Sequence, residues 1–577
     1  MKTAAAAAVV AAATIAVYSQ ALGAGFVGDD FMILHRLRPL AGPADVAQFF
    51  RGEFFEYYRP LGFVAHALDW SIAGADPRQF HLTNLLLHTA NAVLVLLIGR
   101  ALAPRSAAGP IAALLFGLHA SNHEAVMWIS ARFDLLAAFF SLAAIWSMVR
   151  GGRGSQALPP VLFLLAVLSK ESAVALPVAA AGFAVFHLRS STADAARRIA
   201  PWLAMLVLYA VLRSLGGGVS PIGGASRLPK LAALGVLLAV LLVLADGRWL
   251  ELRAWLRGRR RWVAAALVSG LGLAAGAAAL HSGTGLAADK LAVAGFDIFH
   301  LTSPVLDVFD VPFYERAGTT MYWMGGAVAI AFALALVIAG WRALLDDDRM
   351  WFLAAFLAAA LLPISALTEG ARYLYLPSAA VSLMAGTLAA EVRGRRARRG
   401  ALAIAAVVLA VSAAQIVIKV RDWNWAGRLT ADGARLVDAS LAPACGGNVI
   451  FLTAPVGIRG VYTHFYYETF ELPRGCIPDR FQILARVVRR DAIVDARWEG
   501  SSIVMTVPDY RGNLVLSEDL RHFDVPLRAA APVTIATPLG ELRAEPTGGA
   551  QRLTLRLSPA VVADAPGSQS RSSQQVE

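Results

Sequence analysis

The chain has 577 residues, 57% of them hydrophobic and only 16% charged, with a mean hydropathy of +0.58. A soluble protein of this length carries more charge, so the composition describes a polytopic membrane protein and excludes a water-soluble enzyme. The net charge of +12 invites a nucleic-acid partner, but the arginines fall mostly in short loops between apolar segments, as the positive-inside rule requires. No nucleic-acid partner is expected.

The first apolar run, Ala4 to Gly25, is about long enough to cross a bilayer. It is longer than most signal-peptide cores, so it is expected to be a retained span, although Ala21-Leu22-Gly23-Ala24 has the character of a cleavage site. At its far end stands Phe26-Val27-Gly28-Asp29-Asp30. Two adjacent carboxylates at a membrane edge repel each other. They form either a solvated turn or N-cap before a helix beginning near Phe31, or a site that needs them. Residues 25–80 make a long first outer loop whose apolar stretches suit short helices on the membrane surface.

Twelve further spans are predicted at about 82–99, 110–120, 133–149, 157–169, 172–188, 199–216, 229–245, 262–281, 322–340, 350–367, 373–390 and 401–418, thirteen with the first. Several, notably 110–120 and 157–169, are short for a straight crossing. Arginines cluster in alternate loops, including six between 248 and 261 and five between 393 and 399. All such loops fall on one side, which places Asp29, Asp30 and everything after residue 420 on the other. The Arg-Trp stretch 248–262 suits an interfacial helix on the arginine-rich side. Residues 282–321 form a second long outer loop. From 421 the composition turns soluble, with a helix expected near 427–440 and strands at 448–454, 502–507 and 552–557. The expected organisation is a membrane domain over 1–420, a small mixed α/β outer domain over 421–563, and a disordered tail over 564–577. Cys445 and Cys476 both fall in the outer domain, where an oxidising compartment lets a disulfide between them persist.

His81, Asn84, His88 and Asn91 are spaced by three, four and three residues, which puts them on one face of the second span. Polar groups in a span turn towards the protein, so hydrogen bonding between helices accounts for Asn84, His88 and Asn91. His81, nearest the outer end, is the one expected to reach a substrate. His119, His123, Glu124, Arg132 and Asp134 follow at the next outer edge. The two histidines, four apart, would suit a divalent metal if the segment were helical; a polar rim is the other interpretation. Lys170-Glu171 and Arg372-Tyr373 are cations at the outer rim, against the inner bias, and each lies near an acid in sequence. Either they close tight hairpins by local ion pairs, or they clamp a phosphate. No phosphate-binding glycine loop or dinucleotide fingerprint is present, and no cofactor is expected.

Phe26-Val-Gly-Asp-Asp30, Tyr58-Arg-Pro-Leu61, Phe80-His-Leu-Thr-Asn-Leu-Leu-Leu-His88, Leu118-His-Ala-Ser-Asn-His-Glu-Ala-Val-Met-Trp-Ile-Ser-Ala-Arg-Phe-Asp134, Leu168-Ser-Lys-Glu171 and Ala371-Arg-Tyr-Leu-Tyr-Leu-Pro377 occur in that order. Together they resemble the GT-C glycosyltransferases, above all the transmembrane O-mannosyltransferases that carry tetratricopeptide repeats and their bacterial relatives. The resemblance covers roughly residues 20–380, and no tetratricopeptide array follows it.

The resemblance implies an all-α GT-C membrane domain in a bacterial inner membrane. Its reaction would move a sugar, a mannose-like hexose, from a polyprenyl-phosphate carrier to a hydroxyl on a protein, lipid or glycan acceptor at the outer face. Asp29 is the implied base and Asp30 its supporting acid. Lys170 and Arg372, with Arg59 or Arg132, are the cations that would meet the phosphate, and His81, His119, His123, Glu124, Asp134, Glu171 and Tyr373 complete the substrate-binding set. The rival is a transporter or flippase of a lipid-linked anion, which would need access to both faces and usually repeated halves.

Overall fold

A computed structural model of the protein describes residues 2–51, 57–104, 106–151, 157–216, 228–258, 346–363, 371–392 and 394–440, then the strands and adjoining turns within 448–557. The expected spans at 262–281 and 322–340, the 282–321 loop, both cysteines and the 564–577 tail lie outside the described residues.

The helices, in chain order, are α1 (Thr3–Tyr18), α2 (Asp29–His35), α3 (Pro43–Arg51), α4 (Pro60–Ala73), α5 (Pro77–Leu102), α6 (Ala108–Gly117), α7 (His123–Met127) and α8 (Arg132–Gly151). They continue as α9 (Leu158–Ser169), α10 (Leu176–Gly182), α11 (Thr192–Leu215), α12 (Leu228–Val243), α13 (Arg248–Gly258), α14 (Asp348–Leu361), α15 (Tyr375–Glu391) and α16 (Arg395–Ser440). Among the described residues, six helical stretches are long and apolar enough to span a membrane: Thr3–Gly23, Pro77–Leu102, Ile129–Gly151, Thr192–Leu215, Ala371–Glu391 and Arg399–Asp432. These coincide with expected spans. The shorter ones are found as shorter apolar helices, among them Ala108–Gly117 and Leu158–Ser169. Apolar side chains on α11, α12 and α16, such as Val207, Val211, Val236, Ile404 and Val407, are left exposed, as they are where lipid covers them. This is a multi-pass membrane protein.

One element differs from expectation. The span at 401–418 and the helix at 427–440 are a single helix of 46 residues, α16. No proline separates them, and the helix continues where the chain turns polar.

Two belts of charge mark the ends of the membrane helices. At one end, Arg189 and Arg253 both donate to Asp348, Arg349 pairs with Asp347 and Glu391, and Thr192 pairs with Asp246. This ties together the end of the α10 region, the start of α11, the link from α12 to α13, the start of α14 and the end of α15. The other belt includes Arg372, just before α15 begins. The 17 residues of α15 separate the two belts by about 25 Å.

By packing, the chain divides into two compact units, the second taking Gly25–Arg36 together with the chain from Trp425 onward. Its strands are β1 (Asn448–Pro455), β2 (Gly457–Ile458), β3 (Val461–Tyr462), β4 (Arg480–Val487), β5 (Asp495–Glu499), β6 (Ser502–Pro508), β7 (Leu514–Leu516), β8 (His522–Phe523), β9 (Val533–Thr537), β10 (Gly540–Thr547) and β11 (Ala550–Leu557). The expected strands are β1, β6 and β11. A four-stranded sheet runs β1-β4-β7-β8 with β1 and β4 parallel, and a five-stranded antiparallel sheet runs β5-β6-β11-β10-β9. In the second sheet Leu542 faces Leu555 on the buried side, while Glu541 faces Arg556 and Glu545 faces Arg552 on the other. That alternation sets the register, because a slip of one residue would bury the charges.

Candidate active site

The core of the first unit is tied by the polar face of α5. Asp76 caps this helix by accepting from the Arg78 amide at 3.0 Å, and Pro77 sits at its first position. His81, Asn84, His88 and Asn91 are all buried. Asn84 donates to the carbonyls of Val126 and Trp128 at 3.3 and 3.1 Å. His88 Nε2 lies 3.1 Å from the Gly117 carbonyl, which can only accept, so Nδ1 accepts a hydrogen bond from the Tyr375 hydroxyl at 2.7 Å. Asn91 donates to the same hydroxyl and to the Leu135 carbonyl. These three residues bond helix to helix, and His81 is buried at the same face.

Arg132 turns out to belong to this framework. Its side chain is fully buried, pairs with Asp69 at 2.6 Å, and donates to Asn84 Oδ1, the Ala65 carbonyl and the Phe80 carbonyl at 2.8 to 3.0 Å. A guanidinium bound by four groups from α4 and α5 is a joint between helices, so the structure corrects its expected place at the rim. His66 packs beside it, held down to about 3 by burial and by the Arg132 charge, and therefore neutral.

Above this joint lie three further ion pairs. Lys170 Nζ sits 2.6 and 2.7 Å from the two oxygens of Asp134, with both side chains nearly buried. Arg59 forms a two-pronged contact with Glu171, its Nε at 2.9 Å, and lies over the Tyr57 ring at 4.2 Å. Arg372 pairs with Glu124, which also accepts the Arg372 amide at 3.0 Å. The expected neighbours in sequence are not the partners: Lys170 pairs with Asp134 rather than Glu171, and Glu171 with Arg59. The sequence separations are 36, 112 and 248 residues, so these pairs join different helices rather than closing local hairpins.

Tyr373 stands between two of these cations. Lys170 Nζ is 4.8 Å and Arg372 Cζ is 4.6 Å from its ring centroid, and its hydroxyl accepts from Arg372 at 3.1 Å. A small recess of about 10 Å³ opens here, lined by Asp134, Ser172, Tyr373 and Tyr375 and, on its apolar side, by Ala137, Ala138, Ala360 and Leu376. Burial pushes the Glu124 carboxyl up. The Arg372 and His123 charges and the Arg372 hydrogen bonds outweigh that, leaving it below the ordinary carboxylate value.

His119 and His123 are not on one continuous helix. His119 precedes a short 3₁₀ turn, Ala120–Asn122, and His123 opens α7. The Nδ1 of His119 accepts from the Ser121 amide and hydroxyl, and that of His123 donates to the Ala120 carbonyl. The helical spacing that would have suited a metal is therefore not formed. Among the described residues no group of three or more His, Cys, Asp and Glu side chains is placed to hold a metal ion.

Asp29 and Asp30 belong to the second unit, in the first turn of α2. The N-cap is Gly28 rather than either acid, with φ of 52° and ψ of −125°, a conformation that requires glycine. Asp30 is buried and its Oδ2 accepts from the Val27 amide at 3.0 Å, closing the turn. Asp29 is the more accessible carboxylate. In the same unit Gly25 meets Gly427 of α16 so closely that a Cβ on Gly427 would lie 2.5 Å from the Gly25 nitrogen.

Residues given no site role in the sequence also matter. Asp69 neutralises Arg132; Trp128 lies under Arg372, 4.5 Å from ring centroid to Cζ; and Asn122 accepts from Ser378 at 3.1 Å. A tryptophan or an asparagine at a membrane edge carries no pairing signal until its partner is in place.

These features define a multi-pass membrane protein with a paired-charge site at one end of its helices. Its sequence relatives lie among the O-mannosyl-transferases. It is 31% identical over 171 residues to Protein O-mannosyl-transferase Tmtc1 of Drosophila melanogaster, covering 27% of this chain and 20% of the fly protein. It is 29% identical over 176 residues to human Protein O-mannosyl-transferase TMTC3, covering 28% and 19%. The match thus spans about a fifth of these relatives' length. No family model matches the chain. Among solved structures it is similar to ArnT from Cupriavidus metallidurans bound to undecaprenyl phosphate, with a TM-score of 0.43, 12% identity, and 85% of this chain and 87% of that one covered. It is also similar to the Archaeoglobus fulgidus oligosaccharyltransferase in complex with zinc and sulfate, with a TM-score of 0.40, 14% identity, and 82% and 62% covered.

Proposed function

We propose that this protein is a membrane glycosyltransferase that moves a sugar, a mannose-like hexose, from a polyprenyl-phosphate carrier to an acceptor hydroxyl on the outer face of a bacterial inner membrane. The observation that carries this is the set of cross-helix ion pairs beside a recess at the end of apolar helices, in a chain whose aligned relatives are named O-mannosyl-transferases. In the proposed reaction the acceptor oxygen attacks the anomeric carbon and gives its proton to the Asp29 carboxylate. The bond from that carbon to the phosphate oxygen breaks, and its electron pair leaves on the phosphate. One direct displacement inverts the carbon. Polyprenyl phosphate is a good leaving group, so no acid is required at the departing oxygen and no cofactor is called for.

The roles of the two acids follow from their surroundings. Asp30 is buried and accepts from the Val27 amide, which supports a positioning role, and the greater exposure of Asp29 supports it as the base. Lys170, Arg59 and Arg372 are each matched by an acid, so a phosphate would meet a locally neutral cluster. Attraction must come from oriented N–H donors rather than from net charge.

The test is transfer from a radiolabelled polyprenyl-phosphate mannose to extracted envelope acceptors, with and without a chelator. Asp29→Asn keeps the size of the side chain but cannot take the proton, and is expected to lower the rate by about 10²–10⁴-fold with donor binding retained. Undiminished transfer by Asp29→Asn would remove it as the base. Movement of intact lipid-linked sugar across the bilayer without transfer would favour the flippase instead, and loss of transfer with the chelator would bring in a metal.

A further inference from the structure

Arg372 is held on more sides than an ion pair requires. Its Cζ lies 4.5 Å from the Trp128 ring centroid and 4.6 Å from that of Tyr373, while its N–H groups reach Glu124 and the Tyr373 hydroxyl. A guanidinium is planar and weakly hydrated over its faces, so aromatic rings can take the faces while the N–H edge stays available to an anion. Of its five N–H bonds, the side-chain contacts to Glu124 and Tyr373 use two.

Trp128 is itself fixed from below. Its backbone is extended between α7 and the 3₁₀ turn Ile129–Ala131, and its carbonyl accepts from Asn84 at 3.1 Å. Asn84 is in turn bound by the buried Arg132. The indole also packs on Trp423, with centroids 6.3 Å apart. The order of support therefore runs from Arg132 through Asn84 and Trp128 to Arg372.

We propose that Trp128 is a positioning residue that fixes the plane of the Arg372 guanidinium for the phosphate of the lipid-linked donor. This rests on the glycosyltransferase reading above. The donor phosphate gains negative charge as the glycosidic bond breaks, so a misaligned guanidinium costs more in the transition state than in the bound donor. Removing the ring therefore lowers kcat more than it raises the KM for the donor.

The experiment compares Trp128→Leu and Trp128→Phe in detergent-purified full-length protein. Trp128→Leu is expected to lose about tenfold in kcat per folded molecule, and Trp128→Phe, which keeps an aromatic face, to recover most of it. A second readout does not depend on transfer: the rate at which phenylglyoxal modifies Arg372, resolved by mass spectrometry of its peptide. That rate rises in Trp128→Leu and stays near wild type in Trp128→Phe. A Trp128→Leu protein with wild-type kcat and an unchanged modification rate overturns the proposal, as does one that loses only yield. If the wild-type protein transfers from no polyprenyl-phosphate sugar, the glycosyltransferase reading fails and the modification rates alone decide whether Trp128 orients Arg372.

Discussion

Removing one partner of the Lys170–Asp134 pair is the sharpest test of the site's construction. The ammonium touches both carboxylate oxygens, at 2.6 and 2.7 Å, and only 4% of Lys170 and 7% of Asp134 are exposed. At an effective dielectric of about 20, charges this close attract by roughly 6 kcal/mol. Withdrawing each ion from water costs several kcal/mol, so the intact pair is worth little net. Breaking it is another matter, because the remaining charge stays buried without compensation. Asp134→Ala or Lys170→Met is expected to destabilise the fold by about 3–5 kcal/mol. The double variant Asp134→Leu with Lys170→Met replaces both charges by apolar side chains and is expected to lie within about 1 kcal/mol of wild type. Equilibrium unfolding in mixed micelles measures the four corners of this cycle. Donor transfer, assayed on the same preparations, is expected to be lost in the double variant although its fold is restored. Single losses that simply add in the double variant would refute the pairing, and full transfer by the double variant would remove Lys170 from the site.

Three further outcomes are expected. Arg372→Lys keeps the charge but not the planar fork or the stacking on Trp128 and Tyr373, so use of the lipid donor falls by roughly tenfold or more while the protein still inserts, which membrane fractionation and donor kinetics would measure together. The Glu124 carboxyl is held below its ordinary value of 4.5, so its contribution to stability is present above that pH and is lost as pH falls through the lower folded value; Glu124→Gln removes that component from an acid-unfolding profile. A reporter active only in the cytoplasm, fused after Asp495, stays silent; an active fusion would shift the span count by one and move Asp29 to the other side.

Much of the membrane architecture was legible in the chain, because bilayer thickness forces runs of apolar residues and translocation forces arginine to one side, and both are local in sequence. The polar face of α5 was legible for the same reason: a 3.6-residue period decides which side chains share a face whatever packs against it. The strands β6 and β11 could be found by alternation. The adjacent acids stand out in the chain as well, and the structure puts both in the first turn of α2, which Asp30 closes.

Pairing was not legible. Glu124 and Arg372 are 248 residues apart, and nothing near either one names the other. Local adjacency suggested Lys170 with Glu171, but Glu171 goes to Arg59 and Lys170 to Asp134, because successive residues beyond a helix end point in different directions. Arg132 reads at the sequence level as one more rim cation, and only the convergence of α4 and α5 on its guanidinium makes it a buried joint. Likewise Trp128 meets Arg372 only when the 3₁₀ turn Ala371–Leu374, just before α15, brings the guanidinium over its ring. Hydrophobicity and periodicity act over one or two turns of chain and so are written in it directly. Which charge meets which acid depends on how helices distant in sequence are stacked, and that is decided only when the whole bundle packs.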